Sequence, residues 1–448
     1  MLVSRASRAA IVVASAALLL ATSGCGSDQP EEANTDTQVR LYGTDGNMQT
    51  AYAVELKERA GLLNGMKGTI PLTPLPETFK ERLRTVDPKL TDYLYSAETY
   101  DAVVISALAA QLAGTTEPTE IAKQIVGVTT GGQRCEDPAT CLRLARTGQD
   151  IEYRGVSLNR AGFTDAGEPA TASYATLHFG HEKIDDGKTE FVGAGDDSAA
   201  SAKEPPRGRK PRGGKSADDA PLVIGGLLPK TGDLALAYPP LAASAALAIR
   251  EINAAGGVLG EPVTWIDGDD GTNPEVAKAT VASHVAKGVH VIIGAAASGI
   301  SRAVLPDVVA AGRILFSPSN TDAGLTTVDD KDLYFRTAPP DSLQGRALAD
   351  VILRDGPHKV AIVARKDSYG QGFQENVRAE LERAGFGADR VKLLTYEPPA
   401  DAQAPPVDFS ASAKEIKAYG ADAVLIIGFG ESLKVITDLA DAGVQIQH

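Results

Sequence analysis

From Pro221 onward the chain alternates between short apolar runs and longer stretches whose apolar residues recur at helical spacing. "LVIGGLLP" is followed by "LAASAALAIREINAAGG", "PVTWIDGDD" by "PEVAKATVASHVAKG", and "VHVIIGAAA" by "SGISRAVLPDVVAAG". The pattern continues through "RILFSPS", "LYFRTAP", "SLQGRALADVILRDG" and "KVAIVARKD" to "GQGFQENVRAELERAGFG", "VKLLTYEP", "DFSASAKEIKAYG" and "ADAVLIIGFG". Unbroken apolar runs of this kind suit parallel strands covered on both faces. Strict alternation with helices argues for a doubly wound parallel sheet. The length exceeds one such sheet, so the expected fold is α/β with two doubly wound lobes. The last helix, expected over 431–442, places Leu433, Ile436, Leu439 and Ala440 on one face, with Gly443 where a terminating glycine belongs. A strand–helix pair normally feeds a further parallel strand, and that strand is expected from elsewhere in the chain.

The earlier residues follow a different order. "QVRLYGTDG" reads as a strand, "MQTAYAVELKERAG" as a helix and "MKGTIPL" as another strand. Helices are expected around "TFKERLRTV" and "SAETYDAVVISALAAQLAG", then an antiparallel pair from "TASYATLHFG" and "KTEFVG". Residues 193–220 are rich in Gly, Pro, Ser and charge without apolar periodicity, so they read as a solvated linker. At the front, Arg5 and Arg8 precede an apolar stretch from Ala9 to Leu20 and small residues before Cys25. That stretch is too short to span a bilayer and reads as a secretion signal over 1–24. Cys25 is the expected lipidation site, although Thr22 stands where such signals usually carry a larger apolar residue. Residues 25–37 then form an acidic tether, and the expected location is the extracytoplasmic face of the cell membrane.

The net charge of −14 argues against nucleic acid as a partner, because phosphate binding needs a cationic face. No GxGxxG, P-loop, GxSxG or HExxH occurs, so the chain is read as a non-enzyme without cofactor. His178 and His181, three apart in a strand, point to opposite faces and do not make a metal pair. Cys135 and Cys141 lack the further ligands a metal needs. In an exported chain they are expected to pair across a short loop, the alternative being two unpaired buried thiols.

Residues 221–448 resemble extracytoplasmic solute-binding proteins that serve branched-chain amino acid ABC importers. The matching stretches are "GGLLPKTGDLA", "AALAIREINAAGGVLG", "VIIGAAASGISRAVLP", "ILFSPSNTDAGL", "YFRTAPPDSLQG", "DSYGQGF" and "ADAVLIIGFG". Residues 38–192 resemble the remainder of that family through "LYGTDG", "GMKGTIP", "SAETYDAVVISALA" and "EYRGVSLNRAGFTDAGEPATASY". In the family the second piece follows the first, so the order here looks circularly permuted. The resemblance implies a type I periplasmic-binding-protein fold, two lobes joined by three hinge segments. One lobe takes 221–336 and 66–157, the other 337–448, 38–65 and 158–192, with crossings near Arg336–Pro340, Leu63–Gly68 and Tyr153–Ser157.

The same resemblance implies a ligand site for a small amino-acid-like or amide-like molecule. Ser298, at a strand-to-helix junction, would offer its hydroxyl and neighbouring amides to a carboxylate. Ser319 and Thr321 in "SPSNT" would add backbone and hydroxyl groups, and Asp45 in "GTDG" would pair with an ammonium. Tyr369 would fold over the ligand from the second lobe, while Asp341 lies near the hinge. Phe429 stands near a position where the family carries a tyrosine, so no hydroxyl is available there. The expected partners are that ligand, a membrane ABC permease, and the membrane through the lipid anchor, with the protein itself a monomer. A sensory receptor on the same fold is the alternative reading.

Overall fold

The computed structural model describes residues 38–208, 220–401 and 403–447. The expected signal, Cys25, the tether, and residues 209–219 of the expected linker lie outside them.

Two large sheets organise the described chain, one of nine strands and one of five. The smaller sheet runs Tyr334–Arg336, Ile314–Ser317, Val291–Gly294, Val223–Leu227 and Thr264–Ile266, all parallel. Side chains alternate across each strand. Ile292 and Leu315 therefore pack with Val281 and Val304 of the helices Pro274–Ala286 and Ser298–Ala310. Val291, Ile293 and Phe316 face the opposite way, towards Leu247 and Leu108 of the helices Tyr238–Ala254 and Ser96–Ala113. Both faces are covered, which explains the unbroken apolar runs.

The larger sheet runs Val391–Tyr396, Val360–Arg365, Ala423–Ile427, Gln38–Gly43 and Lys67–Pro71, again parallel. Thr171–Gly180 then joins Lys67–Pro71 antiparallel and itself pairs antiparallel with Glu190–Gly195. Gln38–Gly43 lies between Ala423–Ile427 and Lys67–Pro71, with Leu41 opposite Val424. Its first residues also pair with Gln445–Ile446, the short strand after the last helix. Residues far apart in sequence thus complete one sheet.

The structure differs from the sequence reading in four places. Leu158 and Phe163 pack with the smaller sheet, so the chain crosses to the larger one between Phe163 and Thr171, through Glu168, and not at Tyr153–Ser157. Lys67–Pro71 belongs to the larger sheet, so the chain leaves it after Pro71, not at Leu63–Gly68. The cause is a glycine pair: a Cβ on Gly68 would sit 2.6 Å from the Gly43 carbonyl oxygen, an approach that any side chain would prevent. The helix expected over "MQTAYAVELKERAG" breaks into Ala51–Glu55 and a 3-10 turn, Lys57–Leu63, with Lys57 at φ 27°. Residues 193–208 are seated rather than loose. The Ser201 N–H donates to the Phe163 carbonyl at 2.8 Å, and Gln124 Nε2 donates to the Pro206 carbonyl at 2.7 Å.

Where the chain passes between the sheets, Arg336 is buried at 1% exposure. Its Nε donates to Glu168 at 2.9 Å, and Nη1 donates to the Asn320 and Asp322 carbonyls at 3.2 and 2.9 Å. One guanidinium thereby fixes two crossings and the loop that carries Thr321. Cys135 and Cys141 are joined in a disulfide with Cα atoms 5.4 Å apart. No described helix is long and apolar enough to cross a membrane.

Candidate ligand-binding site

The C-terminal ends of parallel strands are where doubly wound folds collect ligand groups. In the smaller sheet, Val291–Gly294 leads through Ala295–Ala297 into the helix that begins at Ser298. The next strand ends in the loop 317–321, and the two loops are tied together. Asn320 Nδ2 donates to the Ala295 and Ala296 carbonyls at 3.0 Å each, and Ser319 Oγ donates to Ala296 O at 3.0 Å. Tyr334 OH holds the other end of the Asn320 amide at 3.0 Å.

Ser298 is the first residue of its helix and not the cap, a position occupied by Ala297. Its Oγ accepts the N–H groups of Thr321 and Asp322, both at 3.2 Å. Ser298 lines the cleft at this helix N-terminus, where the first amides lack intrahelical partners. The buried Thr321 hydroxyl has no hydrogen bond of good geometry.

On the other side, Asp45 follows the strand Gln38–Gly43. Gly46 lets this turn lie against Gly428 and Phe429: a Cβ there would come within 2.4 Å of the Gly428 oxygen. Asp45 is buried, and its Oδ2 accepts from Tyr95 OH at 2.9 Å while Oδ1 accepts from Tyr369 OH at 2.9 Å. Gln344 Nε2 approaches Oδ1 at 3.4 Å. Burial pushes the Asp45 carboxyl up, and the Tyr95, Tyr369 and Gln344 donors partly pull it back. Tyr369 also shares a hydrogen bond with Thr44 Oγ1 at 2.8 Å and stacks on Phe429, centroids 5.3 Å apart.

These groups meet around one small cavity with about 30 Å³ of free space. Ser298, Ser319, Thr321, Asp45, Tyr369 and Phe429 all line it. Leu94, Leu234, Ala237 and Leu241 supply an apolar wall, and Asp45 is the one charged side chain of that lining. Asp341 lies just behind this lining: its N–H donates to the Thr321 carbonyl at 2.7 Å, its carboxylate is buried beside the Thr321 hydroxyl, and it is absent from the wall. Burial and the nearby Asp45 charge raise its pKa well above the carboxylate range.

Contacts outside this lining join the two bodies. The Gly430 N–H donates to the Asp233 carbonyl at 3.0 Å, and Arg365 Nη1 lies 3.8 Å from the Asp233 carboxylate. Asn273 Nδ2 donates to the Ala400 carbonyl at 2.9 Å. Asp233 is pushed up to about 6 by burial and by the Glu431 charge.

Sequence reading missed Tyr95, Gln344 and the apolar wall. Tyr95 stands at φ 54°, a left-handed conformation uncommon for a tyrosine, immediately before the helix Ser96–Ala113. Only the tertiary fold brings its hydroxyl to a residue fifty positions away. Gln344 sits inside a helix, with no local signal. Of His178 and His181, only His178 lies in the strand Thr171–Gly180; His181 follows it at φ 53°.

A doubly wound pair of bodies with a mostly apolar cleft, a helix N-terminus on one wall and a buried carboxylate on the other defines a solute-binding protein. The chain belongs to the periplasmic binding protein family, whose model matches residues 221–448. That family is one of binding proteins and not of enzymes. Among curated relatives, the chain is 29% identical over 232 residues to Leu/Ile/Val-binding protein homolog 3 of Brucella melitensis, covering 51% of this chain and 61% of the relative. It is 31% identical over 217 residues to the Leu/Ile/Val-binding protein BraC3 of Rhizobium johnstonii, covering 47% and 55%. The chain thus spans about three-fifths of the length of the curated relatives it matches. A solved structure similar to it is the branched-chain amino acid transporter substrate-binding protein LivJ of Streptococcus pneumoniae with isoleucine, at 25% identity and TM-score 0.44, covering 51% of this chain and 63% of that one.

Proposed function

We propose that this protein captures a free α-amino acid with an aliphatic side chain and delivers it to a membrane ABC permease. The observation that carries this reading is the polarity of the cavity. A buried carboxylate, Asp45, is its one charged lining group, and the opposite wall offers a helix N-terminus with the Ser298 and Thr321 hydroxyls. An ammonium pairs with the first and a carboxylate with the second, as both must once water is excluded. The wall of Leu94, Leu234, Ala237 and Leu241 suits an aliphatic side chain, in keeping with the names of the curated relatives.

In this reading the bodies around the two sheets are lobes hinged at the Arg336 crossings, and closure seals the ligand through the Asp233 and Asn273 contacts. The chain order is a circular permutation of the family's, a reading supported by Gln38–Gly43 lying parallel beside Ala423–Ile427. Cys25 carries a lipid anchor at the extracytoplasmic face, and the protein works as a monomer. Thermal-shift and calorimetric titration against leucine, isoleucine, valine and their N-acetyl derivatives test the ligand class. Saturable binding of free amino acids, lost on acetylation, is expected; preference for the acetylated forms would overturn it.

A further inference from the structure

A second cleft lies behind the Asp45 turn. It is open to one side, offers about 520 Å³ of free space and is bounded by Met48, Ile70, Leu72, Leu75, Leu177 and Phe191. Gln49 lines this space at 1% exposure, and neither its amide nitrogen nor its amide oxygen has a hydrogen-bond partner. A buried primary amide left unpaired at both ends is costly, and native structures rarely tolerate one. The charges around the cleft balance: Lys80 and Lys183 stand with Asp92 and Asp186. Nothing there calls for a charged occupant.

We propose that this cleft is a second small-molecule site, for a neutral compound with an apolar body and a primary carboxamide or similar head that pairs with the Gln49 amide. A side-chain amide presents donor and acceptor side by side, and another amide presents the complementary pair. The apolar walls take the body of the same molecule. The site stands apart from the amino-acid cavity but shares a wall with it. Residues 45 and 46 face one space and 48–50 the other, while Leu94 lines both. The turn between them is stiff: Asn47 Oδ1 accepts the Thr44 N–H at 2.8 Å, and Asn47 Nδ2 donates to the Ile426 carbonyl at 2.9 Å. Asp92 Oδ1 accepts the Thr50 N–H at 2.9 Å and anchors its far end.

Hexanamide, which carries an amide head, an apolar tail and no charge, is the probe, titrated by calorimetry into the full chain. Saturable binding is expected in the wild type and, unchanged, in Asp45→Asn. In Gln49→Leu the dissociation constant should rise about tenfold or more, the equivalent of roughly one net hydrogen bond. The leucine variant removes an unpaired polar group, so its melting temperature should not fall. Should it fail to fold, Phe191→Ala, at a side chain 46% exposed, gives the same reading by removing part of the apolar wall. No saturable binding to the wild type, or undiminished binding to the wall variant, would overturn the proposal. Binding lost in Asp45→Asn would place the amide in the amino-acid cavity instead, and would equally overturn it.

Discussion

Replacing Asp45 by asparagine isolates one charge in the proposed site. The amide keeps the shape of the carboxylate and can still engage Tyr95 and Tyr369, each 2.9 Å from a carboxylate oxygen. What disappears is the anion that an ammonium would meet in a space closed to solvent. A hydrogen bond to a charged group contributes about 1.5–3 kcal/mol, and each 1.4 kcal/mol or so is a factor of ten. The dissociation constant for leucine, measured by calorimetry, should therefore rise about 10- to 150-fold. Stability should hold or improve, because burial already disfavours the charged carboxylate. The control ligand is 4-methylpentanoate, leucine without its ammonium, whose binding the substitution should not weaken. Unchanged affinity for leucine, or equal weakening for both ligands, would refute the assignment of Asp45 to the ammonium.

Three further outcomes follow from the same geometry. Burial raises the Asp45 pKa in the empty cleft, and a bound ammonium would lower it, so binding displaces a proton. Affinity is then full above the empty-cleft pKa and lost as pH falls through it; calorimetry in buffers of different ionisation enthalpy should read proton release, and its absence across acidic pH would contradict the pairing. Gly46→Ala forces a Cβ to within 2.4 Å of the Gly428 oxygen, so the Asp45 turn must shift and leucine affinity should drop at least tenfold, about 1.4 kcal/mol, with little change in circular dichroism. Arg336→Met leaves the buried Glu168 charge without its cation, held only by the Thr326 hydroxyl, which should cost about 3–5 kcal/mol in urea unfolding; a loss below about 1 kcal/mol would show the pair to be dispensable.

Much of this architecture could be read before any coordinates. Val291–Gly294, Ile314–Ser317, Val360–Arg365 and Ala423–Ile427 are unbroken apolar runs because both their faces are covered. Ser298, Ser319, Thr321, Asp45, Tyr369 and Phe429 were placed by resemblance, and they do line one cavity. Asp341 shows the limit of that method, since it stands one layer behind Thr321. What the sequence hid depends on contacts between distant residues. Tyr95 reaches Asp45 only because the chain turns left-handed just before a helix. Lys67–Pro71 joins the larger sheet because Gly43 and Gly68 meet backbone to backbone. The segment 201–206 is held by the Phe163 carbonyl, by Gln124 of the helix Pro118–Val128 and by the contact of Pro205 with Gly127, beneath a composition that reads as pure spacer.

A crystal structure grown with leucine or isoleucine tests the central claim most directly. The account predicts the ammonium on the Asp45 carboxylate and the ligand carboxylate at Ser298 and Thr321, with Leu94, Leu234 and Leu241 around the side chain. A ligand held by only one of the two bodies, or an amino acid turned end for end in the cleft, would contradict it.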